Sequence, residues 1–218
     1  MDCVEGMKYF PDKYFDLAIV DPPYGLNISK RNGSIGQKKN QGKITRYESK
    51  NWDNAIPNKG YFDELFRVSK EQIIWGANYF THYIPPAMGW IVWDKKQPEG
   101  VTFAMAELAF CSIRKSVKIF SCSRAEIQNC VSNNFEIGKV NAKIHPTQKP
   151  VKLYEWILKR FAEPGARILD THVGSGSSRI ACYNNGLPFL GFEIDKDYCE
   201  ASEKRFINAT LQLGLNFG

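Results

Sequence analysis

The chain has 218 residues, 43% of them hydrophobic and 24% charged, which is ordinary globular usage and excludes a disordered, collagen-like or disulfide-scaffold chain. No apolar run reaches the roughly 18 residues of a transmembrane helix, and the opening MDCVEGMK lacks the basic and apolar regions of a secretory signal, so an intracellular location (cytoplasm or nucleoid, or nucleus in a eukaryote) with no membrane contact is expected. Lysine and arginine number 29 against 23 acids, a surplus of +6, which points to an anionic partner without naming one.

The first strand spans Asp16 to Val20 and stops at Asp21-Pro22-Pro23-Tyr24-Gly25, because two prolines cannot continue a ladder. A polar stretch, residues 27–59, follows; loops of that length inside a domain usually carry function. Tyr61 to Ser69 predicts a helix, with Phe62, Leu65, Phe66 and Val68 near helical spacing. Strands are expected at Gln72 to Trp75, Trp90 to Trp93, Leu108 to Ile113 and Val117 to Phe120. Residues 121–143 are polar and irregular, a candidate target-recognition insert.

The second half alternates more cleanly. Pro150 fits the start of a helix running to about Phe161. Strand Arg167 to Leu169 feeds the turn Asp170 to Ser178 and a helix to about Asn185. Strand Phe189 to Phe192 ends at Glu193, and a helix runs from about Lys196 to Asn208. The pattern implies one α/β domain over residues 1–218, with a mostly parallel sheet covered by helices on both faces. The tail Leu211 to Phe217 alternates apolar and polar residues and is expected to add a strand beside the N-terminus. The six cysteines form no C-x-x-C pair and no zinc-finger spacing, so they read as reduced thiols, with no metal site.

Two turns carry chemistry. Gly174 and Gly176 let the backbone turn sharply and let a ligand come close, and the helix start behind them offers free N–H donors. Glu193, about 23 residues beyond Asp170, can accept both hydroxyls of a ribose. This is the layout of a nucleoside-cofactor site, although an ordinary βαβ unit also carries a capping turn. It lacks the G-x-x-x-x-G-K-[ST] pattern of a nucleotide-hydrolysing phosphate loop. In the other turn, Asp21 supplies a carboxylate and Pro22 a carbonyl without a competing N–H. Two rigid acceptors side by side suit an NH₂ group, and Tyr24 offers a face for a planar base.

Asp21-Pro22-Pro23-Tyr24 and Asp170-x-x-x-Gly174-x-Gly176 resemble the two hallmark motifs of amino-group (N6-adenine/N4-cytosine) DNA methyltransferases that use S-adenosylmethionine. The catalytic motif precedes the cofactor motif, as in the β-type, circularly permuted order. His145-Pro146-Thr147-Gln148-Lys149-Pro150 is similar to the segment holding the methionine end of the cofactor, and Asp2-Cys3 to the segment whose acid contacts its adenine. The resemblance spans nearly the whole chain and implies a Rossmann-like methyltransferase fold. By it, Asp21 and the Pro22 carbonyl hold the target amine, with Pro23 stiffening the turn. Tyr24 stacks on a base flipped out of duplex DNA. Asp2, Asp21, Asp170, Gly174, Gly176, Ser177 and Glu193 surround the cofactor, while His145, Thr147 and Lys149 hold its carboxylate end. The leading aspartate is commoner in adenine-N6 than in cytosine-N4 enzymes of the family. Thr171-His172 departs from the family's Pro-Phe, and His172 reads as structural.

Between residues 30 and 50 stand Lys30, Arg31, Lys38, Lys39, Lys43, Arg46 and Lys50 against the single acid Glu48, so this loop holds the whole +6 surplus. Such a loop suits phosphate contact, although solubility alone also explains surface lysines. Trp52-Asp53 is expected to anchor its return. Arg124, Gln128, Asn133 and Asn134 in the insert can read base edges. The insert is short, so recognition is expected to be limited or shared with a second copy of the chain. The expected activity is methylation of adenine N6 in DNA. Cytosine-N4 methylation, RNA amine methylation and a non-catalytic binding module stay open as alternatives.

Overall fold

The computed structural model describes residues 1–26, 53–100, 104–113, 116–123, 144–145 and 147–214. Basic loop residues 30–50 and recognition residues 124, 128, 133 and 134 lie outside them, as do Trp52 and most of the two predicted inserts.

A short helix, α1 (Cys3–Met7), leads into β1 (Phe15–Val20). Then come α2 (Lys59–Val68), β2 (Ser69–Trp75), a 3₁₀ turn (Ala77–Tyr79), β3 (Gly89–Asp94), β4 (Ala106–Cys111) and β5 (Lys118–Ser121). The second half contributes α3 (Val151–Phe161), β6 (Ile168–Asp170), α4 (Ser177–Asn184), β7 (Phe189–Gly191) and α5 (Lys196–Gly214). The strands make one seven-stranded sheet in the order β5-β3-β4-β2-β1-β6-β7. β1 is parallel to β2 and β6, β6 to β7, and β3 to β5; β4 alone runs backwards, antiparallel to β2 and β3. The expected mostly parallel α/β sheet is therefore the observed one.

β1 reads Phe-Asp-Leu-Ala-Ile-Val with all but Asp16 buried, the near-continuous apolar run of a strand covered on both faces. Alternate residues divide between two cores. Leu17, Ile19, Ile73 and Trp75 pack with Leu153 and Ile157 of α3 and Ala181 and Cys182 of α4. Ala18, Val20 and Ile74 pack on the opposite face with Met7 of α1 and Phe62 and Leu65 of α2. The Asn58 side chain caps α2 by accepting from the Tyr61 N–H at 3.2 Å. α2 passes into β2 without a loop, so Ser69, expected as the last helical residue, is the first of the strand.

The tail corrects one expectation. Leu211 to Gly214 continue α5 rather than forming a strand, and 215–217 lie outside the described residues. Leucine and glutamine extend an established helix at little cost, and a few alternating residues are too short a pattern to stop it. No strand adjoins the N-terminus among the described residues. Asp2 caps α1, accepting from the Val4 and Glu5 N–H groups at 2.9 and 3.1 Å, and the Met1 ammonium donates to the Glu193 carbonyl at 3.0 Å. Among the described residues, no helix is long and apolar enough to cross a membrane.

Candidate active site

Because β1, β6 and β7 are parallel neighbours, their C-terminal ends open at one edge of the sheet, where ligands bind in open α/β sheets. Asp21 follows β1, Asp170 ends β6, and Glu193 follows β7. Between these ends lies a cleft of about 320 Å³. It brings together Asp2, Asp21, Pro22, Pro23, Tyr24, His145, Thr147, Lys149, Gly174 and Glu193, all singled out in the sequence.

At the β1 end the Asp21 carboxylate is held from both sides. The Tyr24 hydroxyl donates to Oδ1 at 2.5 Å, and Lys149 Nζ donates to Oδ2 at 2.5 Å and to the Tyr24 hydroxyl at 3.3 Å. Burial and the Asp21 charge push the Tyr24 phenol well above its ordinary pKa, so it stays a donor. Each carboxylate oxygen offers two acceptor sites, so one on each oxygen is left for a substrate. Asp53 pins the turn from the far side of the polar loop, accepting from the Gly25 N–H at 2.9 Å. Tyr24 stacks on Tyr79, with centroids 5.1 Å apart and planes 17° off parallel. Gly76 leaves room for the ring: it has φ +68°, and a Cβ there would lie 2.1 Å from Tyr24, a clash that no other residue type avoids.

At the other end, Gly174 has φ +51°, and its N–H donates to Glu193 Oε2 at 2.8 Å. Glu193 Oε1 accepts from the Asp195 N–H at 2.8 Å. These bonds fix the carboxylate at the cleft wall, beside Val173, Ile194 and Tyr198. A carboxylate among apolar and aromatic walls is a donor set that fits a nucleoside: hydroxyls for the acid, a flat ring for the walls.

Three expected cofactor contacts sit behind the wall instead of lining it. Asp170 is buried; its Oδ2 accepts from the Ser178 hydroxyl at 2.5 Å and its Oδ1 from the His172 N–H at 3.0 Å. Burial pushes its carboxyl up to about 7. Gly176 caps α4 with φ +74° and faces Ser202 of α5. The Ser177 hydroxyl accepts from the buried Arg205 guanidinium at 2.9 Å, which also donates to the Ser175 carbonyl at 2.7 Å. Gly176 and Ser177 stand at the start of α4, where α5 packs against them through Ser202 and Arg205.

Lys149 also differs from its expected place. It lines the cleft, but its ammonium donates to Asp21 and Tyr24 and forms an ion pair, without a hydrogen bond, with Glu107 Oε2 at 3.2 Å. Burial pushes its ammonium down, and Asp21 and Glu107 more than reverse this. Burial likewise pushes the Glu107 carboxyl up, and Lys149 and Lys95 more than reverse it. His172 lines the cleft as a neutral imidazole, its pKa lowered by burial to about 4. Its Nδ1 shares a 2.9 Å hydrogen bond with Thr171, whose hydroxyl meets the Tyr61 hydroxyl at 2.7 Å. Sequence reasoning missed Glu107 behind Lys149, and Asp53, Tyr154 and Tyr198 as cleft residues.

Comparison with known proteins agrees with this geometry. Type II methyltransferase M.HpaI of Haemophilus parainfluenzae is 26% identical over 94% of this chain and 72% of its own length. The crystal structure of the M1.HpyAVI–SAM complex superposes with a TM-score of 0.57 at 19% identity, covering 94% of this chain and 96% of that one. The PvuII DNA methyltransferase, cytosine-N4-specific, superposes with a TM-score of 0.61 at 16% identity over 94% and 84%. These two structures share the fold. A family model described as DNA methylase, of the N6/N4 methyltransferase type, matches residues 74–204. With more than half of its length under that model, and with both motif turns opening into one cleft, the chain belongs to the N6/N4 DNA methylase family.

Proposed function

We propose that this protein is an S-adenosylmethionine-dependent DNA methyltransferase that methylates the exocyclic N6 amine of an adenine flipped out of duplex DNA. The observation that carries the reading is the shared cleft. Asp21 and Pro22, read as the acceptor pair, line the same cavity as the Gly174–Glu193 wall that suits a nucleoside. When bound, S-adenosylmethionine supplies an electrophilic sulfonium methyl group. Glu193 would hold its ribose, Asp2 its adenine edge, and His145 and Thr147 its amino-acid end. Lys149 serves the catalytic turn, since its donors are engaged there.

The chain's own residues then do two things. The Asp21 carboxylate and the Pro22 carbonyl accept the two N–H bonds of the target amine. Those bonds draw electron density back onto a nitrogen whose lone pair is otherwise shared with the ring, and they aim that lone pair for direct in-line attack with no covalent enzyme intermediate; as the N–C bond would form, the methyl's bond to sulfur would break to leave a neutral thioether, and the surplus amine proton would pass to solvent. Both acceptors are fixed before reaction, by Lys149, Tyr24 and the proline ring, so little reorganisation is needed. Flipping makes the amine reachable, and Tyr24 gives the extruded base an aromatic surface. The seven bases between Lys30 and Lys50 would contact DNA phosphates.

The test is methyl transfer from labelled cofactor to duplex DNA, single-stranded DNA and RNA, followed by digestion to nucleosides and mass spectrometry. The expected product is N6-methyladenine from duplex DNA. N4-methylcytosine would move the reading to the other amine, and product from RNA alone would overturn the DNA assignment.

A further inference from the structure

A half-buried chain of alternating charge, with Lys149 enclosed at its centre, runs away from the catalytic turn. Lys149 Nζ bridges Asp21 Oδ2 at 2.5 Å and Glu107 Oε2 at 3.2 Å. Glu107 Oε1 in turn accepts from Lys95 Nζ at 2.5 Å. Read from Lys95 to Asp21 the order is cation, anion, cation, anion, and the four charges sum to zero. Lys149 is almost fully enclosed, with 3% of its side chain exposed. The Trp75 ring lies 5.3 Å and the Tyr24 ring 5.8 Å from its ammonium.

Topology explains why Glu107 is there. β4 is the one reversed strand, so its beginning, not its end, reaches the edge where β1 and β6 finish. Glu107 is its second residue, paired in register with Trp93. Burying such a pair stabilises a fold little compared with apolar residues of equal size, so stability does not account for the arrangement. Geometry does. A lysine ammonium on a four-carbon stem is a loose point charge. Without Glu107, its remaining polar partners, Asp21 and the Tyr24 hydroxyl, belong to one turn, and it would follow that turn wherever it moved. Anchored from behind by Glu107, which Lys95 anchors in turn, it fixes the Asp21 oxygens.

We infer that Glu107 is a positioning residue for methyl transfer, acting through Lys149 to hold the Asp21 carboxylate in its accepting orientation. This rests on the reading of Asp21 as the acceptor for the target amine. With Glu107 in place, the Lys149 charge is divided between two carboxylates and Asp21 keeps acceptor capacity for the substrate. Without it, the whole Lys149 charge turns to the Asp21–Tyr24 pair and competes with the amine for Asp21.

The experiment is a double-mutant cycle of Glu107→Gln and Lys149→Met in the full chain, read by steady-state methylation of duplex DNA, S-adenosylmethionine titration and thermal melting. Glu107→Gln is expected to lower kcat at least tenfold while KM for duplex and cofactor affinity stay within twofold. In the Lys149→Met background it is expected to cost nothing more, since the residue it acts through is gone. If Glu107→Gln does not fold, Lys95→Gln/Glu107→Gln removes one cation and one anion together, keeps the buried charge at zero, and carries the same expected loss of kcat. A kcat within twofold of the parent, or a further tenfold loss on top of Lys149→Met, would overturn the inference. Asp21→Ala, run alongside, separates the two ideas: full activity there sinks the acceptor reading itself, whatever Glu107 does.

Discussion

Two aspartates end neighbouring parallel strands, and their surroundings give them opposite characters. Asp21, after β1, faces the cleft with an ammonium on one oxygen and a phenol on the other. Asp170, at the end of β6, is buried behind the wall, where among the described residues it accepts from a hydroxyl and a backbone N–H, and burial lifts its carboxyl to about 7. One is a charge supported by a cation and presented to a ligand. The other is a bracket that ties the start of α4 to the strand. The lesson is that strand-end position gives an acid its place, and the neighbouring cations decide what it can do there.

Breaking the catalytic side has the largest expected effect. Asp21→Ala should reduce methyl transfer by about 10³-fold or more, the scale of losing a preorganised charge-stabilising group, while DNA binding in a gel-shift assay is largely spared. Near-parental activity would erase the contrast between the two aspartates. Neutralising the seven bases between Lys30 and Lys50 comes next. Duplex affinity should fall and its dependence on salt should flatten, by about 0.9 in log–log slope for each phosphate that the loop ceases to neutralise. Cofactor affinity, which belongs to the other turn, should stay nearly unchanged; an equal fall in both would show that the two turns are not separable.

The Asp170 side is sharpened by pH. Its carboxyl is raised from the usual 3.8 to about 7 on folding, so the folded protein holds this proton more tightly than the unfolded chain. The stabilisation is fully present below about pH 4 and is lost as pH rises through about 7. A shift of that size corresponds to about 4 kcal/mol. Asp170→Asn has no such proton to lose. Its melting temperature should therefore fall less than the parent's between pH 4 and 8, measured by thermal denaturation at several pH values. Parallel curves for the two proteins would show that Asp170 does not titrate in that window.

Much of the site was legible because it is local. Asp21-Pro22-Pro23-Tyr24 sits beside the strand that stops at it, and Gly174 beside the strand and helix it joins, so a few consecutive residues carry the geometry. Hydrophobic runs likewise located all seven strands and the helix starting near Pro150, to within a few residues. The structure adds most where a residue's environment comes from far away in the chain. Ser177 looked like a cofactor contact until α5 brought Arg205 against it. Leu211 to Gly214 looked like a strand until the preceding turns of α5 carried them on as helix. Lys149, expected at the cofactor's carboxylate end, lines the cleft paired with Asp21 and Glu107, both distant in the chain.

The sequence by itself determined the alternation of strands and helices, the two turns and the charge of the loop between residues 30 and 50, because backbone chemistry, apolar periodicity and net charge are properties of short segments. Tertiary structure alone decided which strand runs backwards, and with it the arrival of Glu107 behind Lys149. It also decided which of two similar aspartates meets the cleft. Both outcomes depend on which distant side chains share a low-dielectric interior, and that is set when the sheet closes, not by neighbours along the chain.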